Sequence, residues 1–133
     1  MQRKRARLIA FIAAPLLLAI YGPGVARAQI APDYYKGKSV DIIVGYETGG
    51  GYDVYARTLS RFLGRHIPGN PTVIVTNMPG AGSLRAANWI YNVAPKDGTV
   101  IGTVARGAAF DPLFGLPGTQ FDATKYTWIG SAN

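Results

Sequence analysis

The chain has 133 residues, enough for one domain with a real core and hardly enough for two. Its formal net charge is +7, but Arg3, Lys4, Arg5, Arg7 and Arg27 lie in the first 28 residues, which hold no acidic residue; the other nine basic side chains face seven acidic ones, so that part carries only +2 and lacks an electrostatic footprint for nucleic acid. There is no cysteine, which excludes disulfides, thiolate nucleophiles and cysteine metal sites.

Residues 1–28 read as a secretory signal peptide. A basic start precedes an apolar run from Leu8 to Ile20. Gly22-Pro23-Gly24 then breaks the helix, and Ala26-Arg27-Ala28 places small residues where a signal peptidase selects them. The apolar run is nearer 13 residues than the roughly 20 that a membrane span needs. Cleavage after Ala28 and a periplasmic location follow as expectations. Residues 29–38 are expected to be a loose lead-in, with Tyr34 and Tyr35 lying over the domain surface.

Residues 39–46 predict the first strand. Ile42, Ile43 and Val44 are apolar without alternation, as in a central strand covered on both faces. Gly49-Gly50-Gly51 then turns into a predicted helix over residues 52–65, whose apolar face is Ala56, Leu59, Phe62 and Leu63. Arg57, Arg61 and Arg65 recur every fourth residue and read as a solvated flank. Asp53 sits in the first turn, where a carboxylate is favoured; a cap, a ligand contact, or both, are open. The single histidine, His66, stands where the helix runs out and reads as structural. No Gly-x-Ser-x-Gly elbow accompanies it, and there is no second histidine for a metal site.

Residues 72–76 predict a second, β-branched strand. A second glycine turn follows, Asn77-Met78-Pro79-Gly80-Ala81-Gly82, and Ser83 is placed to cap a helix through Leu84, Ala86, Ala87, Trp89, Ile90 and Tyr91. Arg85 is in that helix's first turn, facing either solvent or an anion. Ala94-Pro95-Lys96-Asp97-Gly98 is a turn before a third strand over residues 99–105. Asp111 to Gly115 suggests one helical turn, residues 116–123 a loop, and Tyr126 to Gly130 the opening of a fourth strand.

Strand, glycine turn, helix, twice over, predicts an α/β fold with parallel strands joined by right-handed crossovers. It brings two helix N-termini, with their unsatisfied amides and partial positive charge, to one edge of the sheet. A small anion, most simply a carboxylate, is the ligand such an edge suits. With three or four strands, one sheet edge is left bare, as in the front part of a longer protein.

The run from Ser39 to the end of the chain resembles the extracytoplasmic solute receptors of tripartite tricarboxylate transporters, also called Bug receptors. The likeness lies in a combination: Gly49-Gly50-Gly51-Tyr52-Asp53 after a strand, Ala56-Arg57 in the next helix, Asn77-Met78-Pro79-Gly80-Ala81-Gly82-Ser83, and the Ala94-Pro95-Lys96-Asp97-Gly98 turn. The resemblance implies a periplasmic binding protein of type II, with this chain as the N-terminal part of a three-layer αβα first domain. It implies a small organic carboxylate as ligand, membrane permease subunits as partners, no cofactor, no enzymatic activity, and a monomer at full length. Carried over residue by residue, the ligand-binding set is Tyr46, Thr48, Gly49, Gly50, Gly51, Asp53, Asn77, Gly80, Ala81, Gly82, Ser83 and Arg106. Glu47-Thr48 departs from the prolines common there in the family, and family members are about twice this length or more. The rival expectations are a truncated or ligand-free envelope interaction module and a nucleotide-binding enzyme. Against the last, neither glycine turn forms a Gly-x-Gly-x-x-Gly fingerprint or leads into Gly-Lys-Ser/Thr.

Overall fold

A computed structural model describes residues 31–131; the expected signal peptide lies outside the described residues. The elements run β1 (Ser39–Val44), α1 (Gly51–Leu63), β2 (Thr72–Asn77), α2 (Leu84–Asn92) and β3 (Val100–Thr103), with short 3-10 turns at Gly64–His66, Ala81–Ser83, Ala108–Phe110 and Ala123–Lys125. The α/β class expected from the strand–turn–helix pattern is the class found, and it is consistent with a fragment of a periplasmic-binding-protein-like fold.

The three strands are parallel, in the order β2-β1-β3. β1 is central, and Val40, Ile42, Ile43 and Val44 are all buried, as an uninterrupted apolar strand requires. Its register sets Ile42 beside Val75 and Ile101, and Ile43 beside Thr76 and Gly102. These are the two faces of the sheet. Ile42 and Val44 pack with Ala56 of α1, joined by Val73, Val75, Leu63 and Ile101. On the other face, Gly45 and Gly102 admit α2: a Cβ on Gly45 would stand 2.4 Å from the Ser83 Cβ, and one on Gly102 would stand 2.4 Å from Ile90 Cδ1. Two right-handed crossovers that run in opposite directions along the sheet, β1 to β2 and then β2 to β3, put their helices on opposite faces. Beyond α2, Leu84 and Ala87 bury Phe121, and the Tyr126 hydroxyl donates to the Ala87 carbonyl at 2.5 Å.

Four expectations need correction. Tyr126 to Gly130 forms no strand; Tyr126 turns instead onto α2, its ring in edge-on and tilted contact with Tyr91, Phe121 and Trp128. α1 stops at Leu63 and passes into a 3-10 turn over Gly64–His66, where Gly64 lies so close to the Pro71 carbonyl that a Cβ there would meet it at 2.5 Å. The lead-in is tied down where it was expected to be loose: the hydroxyls of Tyr34 and Tyr35 donate to the carbonyls of Asp97 and Gly98. Ser83 makes no side-chain cap to α2.

Candidate functional site

All three strands point their carboxyl ends to one edge, so the segments after β1, β2 and β3 gather there. The strand order reverses at β1, since one crossover leaves it to β2 and the next passes over it to β3. In open α/β sheets that reversal is where a crevice opens between loops.

The second turn closes against the end of β3. Ala81, Gly82 and Ser83 all have positive φ, at 47°, 62° and 77°. Three successive left-handed residues curl the chain tightly, and two of them lack the freedom of glycine. The curl drives Ser83 into the interior, 1% exposed, where its Oγ accepts the Ala105 N–H at 2.8 Å. A hydroxyl expected to cap a helix thus cross-links two loops of the crevice. Gly80, Ala81 and Gly82 remain exposed.

Tyr46 follows directly, its ring stacked on Tyr52 with centroids 4.4 Å apart. Burial pushes the Tyr46 phenol up, and neighbouring Tyr52 adds to this; the Ser83 side chain and the Arg106 charge pull it the other way. Tyr46, Ser83 and Arg106, three of the residues proposed from sequence, therefore converge where β1 and β3 end. Tyr52 joins them and was not singled out. Its signal was the aromatic pair at spacing six, straddling the glycine turn.

The first turn is held by a polar network. Asp53 is 2% exposed. Its Oδ2 accepts the Gly49 N–H at 2.8 Å, its Oδ1 accepts Asn77 Nδ2 at 2.9 Å, and Arg57 Nε donates to both oxygens at 3.0 and 2.9 Å. Asn77 Nδ2 also donates to the Tyr46 carbonyl at 3.0 Å, while Asn77 Oδ1 accepts from Thr48 Oγ1 at 3.1 Å and Arg57 Nη2 at 2.9 Å. Hydrogen bonds from Arg57 first, then from the Gly49 amide and from Asn77, hold the Asp53 carboxyl at about 2, against an ordinary value of 3.8. Of the proposed residues, Thr48, Gly49, Asp53 and Asn77 are thus bonded to one another or through Arg57. Arg57, read as a solvated flank, is the residue that sequence reasoning missed; an acid and a base four apart on a helix was its signal.

Positive φ falls on Gly49, at 86°, whereas Gly51 is the first residue of α1. Gly50 and Gly51 are exposed, and a Cβ on Gly49, Gly51 or Gly82 would meet no atom of the described residues within 4 Å beyond its chain neighbours. Arg85 is exposed, and among the described residues its guanidinium donates to the Pro79 carbonyl alone, at 3.5 Å. Among the described residues there is no group of three or more His, Asp or Glu side chains placed to hold a metal ion, and no helix long and apolar enough to cross a membrane. The arrangement can offer an anion backbone amides from two glycine turns, the Tyr46 hydroxyl and the Arg106 guanidinium, around a crevice edge with one buried carboxylate already paired.

No family model and no solved structure matches the chain. The chain is similar to the "UPF0065 protein in gbd 5′ region" of Cupriavidus necator, 34% identical over 128 residues. The match takes in 96% of this chain and 35% of the relative, so the chain spans about a third of the length of the curated relative it matches.

Proposed function

We propose that this chain is the N-terminal part of a Bug-type extracytoplasmic solute receptor that binds a small organic carboxylate and hands it to the membrane permease of a tripartite tricarboxylate transporter. UPF0065 is the curated designation of the Bug family, and the likeness to one such protein over 96% of this chain supports the reading. That family binds solutes and is not enzymatic. The observation that carries the proposal is the carboxyl edge of the sheet, where two exposed glycine turns flank the end of β1, near Tyr46 and Arg106, with Ser83 tying the second turn to the end of β3. Preorganised amides and one arginine suit a carboxylate, and they need neither metal nor cofactor.

The same reading makes the protein periplasmic, with residues 1–28 removed on export. N-terminal sequencing of the exported protein is expected to begin at Gln29; a mature protein retaining Met1 overturns that part. The receptor reading is tested by thermal unfolding and calorimetric titration with citrate, succinate, glutarate and benzoate, on this chain and on the longer product of its gene. At least one acid is expected to raise Tm and bind saturably, because a ligand that binds only the folded state stabilises it. Arg106→Ala is expected to weaken that binding about tenfold, the scale of one charge-assisted hydrogen bond. Absence of stabilisation by all four acids in the longer product counts against a carboxylate receptor.

A further inference from the structure

We propose that Asn77, Asp53 and Arg57 are positioning residues for the candidate site: they clamp the first glycine turn to the end of β2 through a network with no net charge, so that the turn presents amides, and no open carboxylate, to an anion. This rests on the receptor reading above.

The clamp is specified at the level of single atoms. The Asn77 amide has two donor hydrogens and two acceptor positions, and all four are used: Nδ2 to the Tyr46 carbonyl and Asp53, Oδ1 from Thr48 and Arg57. Reversing the amide would set its hydrogens against the Arg57 donor and its oxygen against two other oxygens, so one orientation alone fits. Asn77 belongs to β2, and each of its partners lies on the first turn or on α1. Asp53 completes the hold from the other side by taking the Gly49 N–H, which fixes an exposed residue at φ 86°.

The clamp requires an ionised carboxylate close to where an anion would sit. An anion on Gly50 or Gly51 is one or two residues from the Gly49 amide that bonds Asp53, inside a screening length of about 8 Å at physiological salt. Asp53 is buried, so water does little to cancel its charge, and Arg57 does so at 2.9 Å. Arg57 is half-exposed, and its loss would leave a bare buried carboxylate beside the amides.

The test uses the full chain with Arg57→Gln, Asp53→Asn, the two combined, and Asn77→Ala. Each is read by hydrogen exchange at the Gly49 amide without ligand, and by titration with citrate and benzoate, which differ in charge. Asn77→Ala and Asp53→Asn are expected to speed Gly49 exchange about tenfold or more, because the amide is protected only while the network is closed. If Asn77→Ala does not fold, Asp53→Asn decides this arm. Arg57→Gln is expected to weaken citrate about tenfold at low salt and benzoate by less, with the gap closing as salt is raised. Adding Asp53→Asn is expected to recover most of the citrate loss. Unchanged Gly49 exchange, or an equal loss for both acids that Asp53→Asn does not recover, overturns the proposal. If the parent binds neither acid, the receptor reading fails for those ligands, and the exchange arm decides the clamp by itself.

Discussion

Gly45 shows how much a single missing atom decides. It ends the buried run of β1, and its φ does not require glycine; what requires it is Ser83, whose Cβ would lie 2.4 Å from an added methyl. Ser83 cannot retreat, since it is buried, left-handed, and bonded to the Ala105 amide. Gly45→Ala is therefore expected to cost about 1–3 kcal/mol, the range for overpacking a closed site, and to loosen the second turn; urea unfolding and the Ala105 amide shift check both. Gly102→Ala meets the same 2.4 Å, but against Ile90 Cδ1, the free end of a flexible side chain. Its cost is expected to be clearly the smaller of the two in the same urea experiment. At Asp53 the signature is pH. Its folded carboxyl titrates at about 2 and its unfolded one at 3.8. The native state thus holds fewer protons than the unfolded chain between these values. The stabilisation is complete above about pH 5 and is lost as pH falls towards 2, and Asp53→Asn is expected to flatten that limb of the stability curve.

At the scale of elements, α2 carries the packing that replaces the expected fourth strand. Tyr126 lies against Tyr91, Phe121 and Trp128 and donates to the Ala87 carbonyl. Burial, with neighbouring Tyr91 second, pushes its phenol up to about 12. The neutral form is therefore the folded one, and its contribution is kept below pH 10 and lost as pH rises through 12. Tyr126→Phe keeps the rings and removes one hydrogen bond, so it is expected to cost about 0.5–1.5 kcal/mol. Circular dichroism melts of both proteins at neutral pH check the size of the effect. A Tyr126→Ala variant also loses the ring contacts and is expected to cost more.

Over the whole molecule, a stripe on α1 stays open. Tyr55, Leu59 and Phe62 share one helical face and are each about half exposed. They border a groove that runs past β3 to Trp128 and Ile129, also exposed. Apolar surface of this extent binds amphiphilic dyes. The folded chain is expected to enhance anilinonaphthalene sulfonate fluorescence, and Leu59→Glu with Phe62→Glu to abolish most of the enhancement while far-ultraviolet dichroism stays unchanged.

Local pattern was enough for the α/β class, the three parallel strands, both helices and the glycine turns at one edge. Each rests on periodicity or backbone freedom, properties of neighbouring residues. Tyr46, Ser83 and Arg106 entered through the family resemblance, and they come together in the fold where β1 and β3 end. Partnership across the chain was another matter. Ser83 caps nothing and reaches 22 residues forward to Ala105; Asn77 reaches back 24 and 31 residues to Asp53 and Tyr46. Tyr126 was drawn from a strand to α2, 39 residues away, by its ring and hydroxyl. A polar side chain takes whichever partner the packed fold sets within 3 Å, and several candidates near in sequence were equally plausible for each. Only the sheet order β2-β1-β3, by bringing three loop ends together, chose among them.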